Sequence, residues 1–385
     1  MAYNPKILQE ALHARRLTPA QLSRRLGIDP SELSRELRRD PEPSQDLLKA
    51  LARELVLPPF VFYMKHLPRL GEGITDFRSQ TPEPTPKARE TIEAIKLAEG
   101  IQKSIIELGA PGASGLPKFT ATTDKDVDRF ALTVRQYFAI TLDDQKASKD
   151  AKAFYVTVRR KIEDKGILVL QDSFPREDGS GFCLTGTHPL ILINTKQQTR
   201  ARRLFTLAHE LAHVLMGRSG ISDPFIQKNA IERRCNRFAG SFLVPDAYAS
   251  VLLGSSVTRD PTLEDVRWAA GKLKISQEAA VLRLEQLNIY ESGSYDRWCA
   301  LVHNANPDFS EQGGGGKPPA QEKVKLAKYG FRFAKTFKRF LDEGVISEIN
   351  LYRASGLKPK YQRPYFNYVA SLSSSELQNL ELDDG

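Results

Sequence analysis

Residues 205–215, FTLAHELAHVL, are the stretch that most limits what this chain can fold into. Apolar residues recur there at the spacing of one helix face, which predicts a buried amphipathic helix. His209 and His213 are four positions apart and therefore lie on the same face. Two interpretations are open: the imidazoles are hydrogen-bonded within a metal-free core, or they converge on one ion.

The second interpretation gives Glu210 a chemical role. Two imidazoles one turn apart can bind zinc through bonds of about 2.0–2.1 Å. Zinc lowers the pKa of a bound water to about 7, and Glu210 lies on the flank where its carboxylate would take the proton. The H-E-x-x-H spacing therefore predicts a metal-dependent hydrolase that attacks a carbonyl group.

A catalytic zinc site needs a third protein ligand and an open fourth position. In IERRCNRFAGSF, Glu232 and Asn236 lie at the edge of an apolar helical stripe, so the carboxylate can reach a buried ion. Glu232 follows His213 by nineteen residues, enough for a turn and an antiparallel return. Asp223 is the competing ligand, and a solvated ion pair with a neighbouring arginine is the alternative role for Glu232.

The elements around this helix predict a mainly α fold with a small β-sheet, of the α+β class. Two short apolar runs bounded by turn residues, ILVLQ at 167–171 and PLILIN at 189–194, are typical of buried strands. GFCLTG between them is a candidate third strand. Helical patterns precede these runs at 88–108, 124–138 and 149–166.

With these elements in place, PLILIN…RRLFTLAHELAHVL…IERRCNRFAGSFLVP resembles the ImmA/IrrE family of metallopeptidases. The resemblance covers residues 124–290 and implies a zincin-like metallopeptidase domain. It also implies that His209, His213 and Glu232 bind Zn²⁺. Glu210 matches the family's general acid/base.

Asn236 and Phe238 match residues that the family keeps after its third ligand, and we expect Asn236 to support the ligands from outside the coordination sphere. The chain departs from the family at Cys235, where alanine is usual, and at Ala212, where glycine is common. Both residues are small, so packing is preserved. A thiol this close to the metal can nevertheless compete as a ligand.

The resemblance implies a regulatory role. ImmA/IrrE proteins are typically proteases that make few cuts, often in a helix-turn-helix repressor, within phage, mobile-element or stress-response circuits. We therefore expect a zinc-dependent endopeptidase whose substrate is a repressor or a toxin–antitoxin partner. The alternative is a DNA-binding regulator or antitoxin-like protein whose metallopeptidase domain is structural or rarely active.

Residues 1–66 predict an all-α helix-turn-helix domain. Thr18 and Gln21 have the pattern of a capping box, Gly27 ends that helix, and Asp29 begins the next. The two helices follow one another at helix-turn-helix spacing. This module resembles the Xre/Cro repressor class, which is often fused to ImmA/IrrE domains.

In the Xre/Cro class the second of these helices enters the major groove of DNA. Here it would present Ser31, Glu32, Ser34, Arg35 and Arg38. The module is only weakly basic, with eleven Lys and Arg against eight Asp and Glu. Double-stranded DNA is therefore one expected partner, and dimerisation or docking of a partner protein is the alternative role.

The rest of the chain is expected to form four further parts. They are a linker and helix (67–123), the metallopeptidase domain (124–255), a small helical unit packed on it (256–292), and a linker plus helical C-terminal extension (293–385). In the extension, basic and aromatic residues indicate either a nucleic-acid surface or an amphipathic helix that buries Phe331, Phe333, Phe337 and Phe340.

Composition favours a cytoplasmic protein with no membrane contact. No apolar run approaches the roughly 20 residues that span a bilayer, and MAYNPKILQEALHARR lacks the apolar core of a secretory signal. The three cysteines, Cys183, Cys235 and Cys299, suit a reducing compartment. The net charge of +9 permits contact with nucleic acid without requiring it. Formation of a homodimer is a further possibility that the sequence leaves open.

Overall fold

A computed structural model describes most of the chain. The described residues are 3–15, 17–38, 43–67, 75–76, 87–196, 198–222, 230–254, 257–305 and 320–372. Asp223, most of the linker that follows residue 66 and the linker between 305 and 320 lie outside them. The described part is mainly helical with a small mixed sheet, which confirms the predicted α+β class. Its helices include no candidate for a membrane span.

The N-terminal helices have a core of their own. They are α1 (Pro5–Arg15), α2 (Pro19–Leu26), α3 (Pro30–Leu37) and α4 (Gln45–Glu54), followed by a 3₁₀ turn at Pro59–Tyr63. The predicted capping box is present, because the Thr18 hydroxyl accepts from Gln21 N and the Gln21 side chain accepts from Thr18 N. Gly27 ends α2 with φ 67°, a conformation that favours glycine. The apolar faces of these helices bury a cluster separate from the main core.

Five strands form the sheet in the described chain, in the spatial order β1–β5–β3–β4–β2. They are β1 (Thr75–Asp76), β2 (Leu168–Asp172), β3 (Gly181–Leu184), β4 (Leu190–Asn194) and β5 (Gly220–Ser222). β2 and β4 are parallel, and β3 is antiparallel to both β4 and β5. The three strands predicted from sequence are confirmed. Nearly all residues of β2, β3 and β4 are buried, which explains their continuous apolar sequences.

Helices cover the sheet and surround its neighbour α9. The helices before the strands are α5 (Arg89–Glu107), α6 (Asp124–Tyr137), α7 (Leu142–Ala147) and α8 (Ala151–Asp164). Those after β4 are α9 (Arg200–Leu215), α10 (Ala230–Leu243), α11 (Asp246–Leu253), α12 (Leu263–Leu273), α13 (Gln277–Gln286) and α14 (Ser294–Ala305). α9 packs against β3, β4, α8 and α10. Its last ten residues are therefore all buried.

The C-terminal helices belong to the same core as the sheet. They are α15 (Gln321–Asp342), α16 (Glu348–Ser355) and α17 (Pro359–Ser371), and α15 packs on β2, α8 and α17. The four phenylalanines of α15 named from sequence are all buried, which confirms the amphipathic-helix interpretation. One continuous cluster of apolar side chains runs from Ala94 in α5 to Phe366 in α17.

A kink in α15 receives a buried ion pair from α8. Gly330 has φ 82° and ψ −180° within the helix, a backbone conformation that favours glycine. There Phe331 N donates to Glu163 Oε2 at 3.0 Å, and Arg159 Nη1 donates to Ala327 O at 2.7 Å. Burial raises the pKa of Glu163 to about 7, although Arg159 acts in the opposite direction. The two helices are thus joined by polar contacts as well as apolar ones.

Candidate metal centre

Two packed helices bring the three predicted ligands together. His209 and His213 project from α9, and Glu232 from the first turn of α10. The two histidine Nε2 atoms are 3.2 Å apart. Glu232 Oε2 is 3.2 Å from His209 Nε2, and Oε1 is 3.2 Å from His213 Nε2. All three side chains are fully buried, so Glu232 lies beside the histidines and is not a solvated partner of a neighbouring arginine.

The spacing of these donor atoms suits a zinc ion. In a tetrahedral site with bonds of about 2.0–2.1 Å, neighbouring ligand atoms are roughly 3.3 Å apart, close to the three separations found here. Neither Glu232 oxygen has a hydrogen bond of acceptable geometry among the described residues. A buried carboxylate of this kind is costly unless it is paired or coordinates a metal. The residues present therefore fit the ion that the H-E-x-x-H spacing implies.

One hydrogen bond determines how His209 presents its ring. Nδ1 is 2.8 Å from Asn236 Oδ1. Because an amide oxygen can only accept, Nδ1 carries the hydrogen and donates it. The lone pair is then on Nε2, the atom that faces Glu232 and His213. Asn236 follows Glu232 by one turn, so α10 supplies both a donor atom and the group that orients another.

Glu210 lies on the helix that carries the two histidines, and its carboxylate is next to the sheet. It is fully buried on α9. A Cβ added at Gly181 of β3 would lie 3.2 Å from Glu210 Oε1, so the carboxylate rests against the backbone of that strand. β3 therefore limits how far the carboxylate of Glu210 can move toward the sheet.

The pKa values of the three buried side chains are shifted in different directions. Burial lowers the pKa of His209, but the adjacent Glu232 and Glu210 outweigh burial, and the net pKa is raised above its ordinary value. Burial and the neighbouring His209 lower the pKa of His213. Burial raises the pKa of Glu232, yet the two imidazoles reverse this and the net pKa is lowered. The arrangement favours an ionised Glu232 carboxylate. It also raises the pH at which Nε2 of His209 gains a second ring proton, which an ion would have to displace.

The sequence of this region is similar to that of a known protein family. Residues 162–285 match the IrrE N-terminal-like domain, Peptidase_M78. The matched segment runs from α8 to α13 and is similar to a metallopeptidase domain. It contains all the residues of the candidate metal centre. It is 124 of the 385 residues and narrower than the 124–290 expected from sequence. No curated protein matches the chain.

Two buried cysteines adjoin the candidate metal centre, which lies within the segment that matches the IrrE-like domain. Ring nitrogens of His209 and His213 and the sulfur of Cys235 all lie within 4.8 Å of one another. Cys183, on β3, donates from Sγ to Arg218 O at 3.2 Å. Burial raises the pKa of both thiols well above its ordinary value. Sequence reasoning missed Cys183 as a neighbour of the site, because only the folded sheet brings β3 to α9.

The five predicted DNA contacts lie outside the IrrE-like domain. Ser31, Glu32, Ser34 and Arg35 are exposed on α3, and Arg38 is exposed just after it. Leu33, in the middle of this run, is buried in the N-terminal cluster. α3 therefore presents a polar face to solvent, as a recognition helix would, and the contact with DNA stays a prediction.

Proposed function

We propose that this protein is a zinc-dependent endopeptidase that cuts a regulatory protein. One observation carries the proposal: the buried donor atoms of His209, His213 and Glu232 are 3.2 Å from one another. Burying ionisable groups in a core costs several kcal/mol per ion, and mutual attraction repays this only when further partners satisfy the remaining polar atoms. A metal ion is such a partner. With three protein ligands it would keep a fourth position for water or substrate.

Glu210 would carry the protons of the reaction. Zinc at this site would polarise the scissile carbonyl group and lower the pKa of water to about 7. Glu210 accepts a proton from the attacking water as the new C–O bond forms. It then donates that proton to the amide nitrogen as the C–N bond breaks. Asn236 holds His209 in the tautomer that this arrangement requires.

The proposed substrate is a helix-turn-helix repressor or a toxin–antitoxin partner, and the setting is cytoplasmic. Support comes from the resemblance to ImmA/IrrE proteins and from the N-terminal module in the same chain. That module would bind double-stranded DNA through the exposed face of α3 or mediate a homodimer. The division proposed is a helix-turn-helix domain at 1–66, linker and helix at 67–123, peptidase at 124–255, helical unit at 256–292 and C-terminal extension at 293–385.

A second function is favoured by the exposed polar face of α3. Under it, the chain is a DNA-binding regulator or antitoxin-like protein whose IrrE-like domain is structural. The two functions differ in whether Glu210 matters. A regulator of this kind needs the fold and the metal, but not a group that transfers protons.

Glu210→Gln tests the proposal, because the amide keeps the shape of the side chain and cannot accept the proton. Cells would express the full chain or this variant, and new protein N-termini would be profiled by mass spectrometry. Purified variant should bind zinc at the same stoichiometry as the parent, while the N-termini generated by the parent disappear. Identical N-termini in both samples, with an unchanged regulatory phenotype, would rule out the peptidase.

A further inference from the structure

We propose that Cys235 is a fourth protein ligand, which closes the metal site when no substrate is bound. The inference rests on the proposed function, since it assumes an ion held by His209, His213 and Glu232. The inference concerns the fourth coordination position of the ion, which these three ligands would leave open. Its consequence is a resting peptidase that cannot hydrolyse peptide bonds until substrate displaces the thiolate.

The position of Cys235 on α10 carries the inference. Cys235 follows Glu232 by three residues, so the two side chains lie on one face of the helix. Cys235 is fully buried, and its sulfur lies within 4.8 Å of ring nitrogens of both His209 and His213. Thiolate, imidazole and carboxylate are all established zinc ligands.

The sulfur of Cys235 is close to the distance from the histidine nitrogens at which both could bind one ion. A sulfur and a nitrogen bound to one tetrahedral zinc, at about 2.3 Å and 2.05 Å, are roughly 3.6 Å apart. The sulfur of Cys235 lies within 4.8 Å of ring nitrogens of both histidines, so each of these separations exceeds that of two bound ligands by no more than about 1.2 Å.

Coordination would also change the protonation of Cys235. The sulfur would bind as a thiolate, so the S–H bond would break and one proton would be released to solvent as the ion is bound. The closed site would then lack an open position for water or substrate. Substrate that displaces the sulfur would let the thiol take a proton back from solvent, and the fourth position would open again.

Cobalt substitution tests the inference on the full-length protein. Co²⁺ binds the same ligand types as zinc, and a thiolate bound to Co²⁺ adds a strong near-ultraviolet charge-transfer band that imidazole and carboxylate ligands do not produce. We expect this band in the parent protein, and its loss in Cys235→Ala and in the nearly isosteric Cys235→Ser. The affinity for Co²⁺ should also fall by at least the roughly tenfold that removal of an outer-shell partner costs.

Cys183→Ala is the matched control, because Cys183 is also buried and is near enough to Glu210 and Glu232 to feel their charges. The charge-transfer band of this variant should equal that of the parent. Stoichiometric Co²⁺ without the band in the parent protein would overturn the role of Cys235 and leave the proposed function intact. A band that survives Cys235→Ser and vanishes in Cys183→Ala would overturn it too. Failure of the parent to bind Co²⁺, or binding that survives His209→Ala, would instead reject the metal site itself.

Discussion

Asn236 Oδ1 and His209 Nδ1 are 2.8 Å apart, and this contact determines which nitrogen of His209 can bind a metal. Asn236→Ala removes the acceptor, so the ring can rotate or change tautomer. We expect the zinc affinity to fall by about 10–100-fold, measured by competition with a chelator. Asn236→Asp keeps an oxygen acceptor and should retain most of the affinity. Equal affinities for the parent and Asn236→Ala would show that the contact does not orient the ligand.

Metal binding should weaken in acid. The pKa of His209 is raised above its ordinary value, so a proton occupies its ring at a higher pH than usual and competes with the ion. Between about pH 8 and about pH 6 the zinc affinity should drop by up to about tenfold per pH unit for each proton displaced. Chelator competition at several pH values would measure this slope. A flat profile would contradict the protonation pattern described for the site.

Gly181→Ala should displace Glu210 without removing a ligand. The added Cβ would lie 2.9 Å from Leu192 O and 3.2 Å from Glu210 Oε1, so β3 or the carboxylate must shift. We expect peptide cleavage to fall at least tenfold, in line with the sensitivity of catalysis to small misplacements, while zinc stoichiometry is kept. Gly271→Ala, where a Cβ meets nothing within 4 Å, is the control. Unaltered cleavage in Gly181→Ala would show that Glu210 is not held by β3.

Gly330→Ala should destabilise the junction between α8 and α15. Its Cβ would overlap Glu163 Oε1 and lie 2.7 Å from Arg159 Nη2, at a φ of 82°. We expect the free energy of unfolding to fall by about 3 kcal/mol or more, from strain and overpacking together. Gly344 has a similar φ of 70°, and a Cβ added there would meet nothing within 4 Å. Gly344→Ala therefore measures the cost of the backbone conformation alone. Denaturant titration of both variants would measure the difference, and equal losses would show that the clash is relieved.

Arg35→Ala should test the N-terminal module. Arg35 is exposed on α3, where a recognition helix would contact DNA. If the module binds DNA, the variant should lose about 1–3 kcal/mol of binding free energy for a base contact, or reduce the salt slope by about 1 for a phosphate contact. Titration of labelled duplexes at two salt concentrations would distinguish these. Lys103→Ala on α5 is the control, and equal binding by both variants would favour a protein-docking role.

Local patterns were enough to predict much of the site. His209, Glu210 and His213 follow from spacing on one helix, since a turn brings positions four apart together whatever the rest of the chain does. Glu232 required a second helix, and its apolar stripe indicated which side faces the core. The strands β2, β3 and β4 were predictable because burial on both faces makes their sequences continuously apolar.

Contacts between distant parts of the chain could not be predicted in this way. No local pattern indicates that α15 packs on β2, or that Glu163 occupies the kink at Gly330, because both depend on pairings across more than 150 residues. The position of Cys183 beside the site was not predictable either, because it depends on the packing of β3 against α9. β5 is only three residues long, too short to show a period of its own.

The buried pair at the kink of α15 also sets a lower limit on how far this protein can be shortened. A fragment ending after α14 would leave Arg159 without its acceptor at Ala327 and Glu163 without its donor at Phe331, both inside what had been core. It would also expose the side of β2 that α15 covers. The segment that resembles the family is therefore not expected to fold stably on its own. Its strand β2 and helix α8 depend on α15, which follows residue 320, for part of their packing.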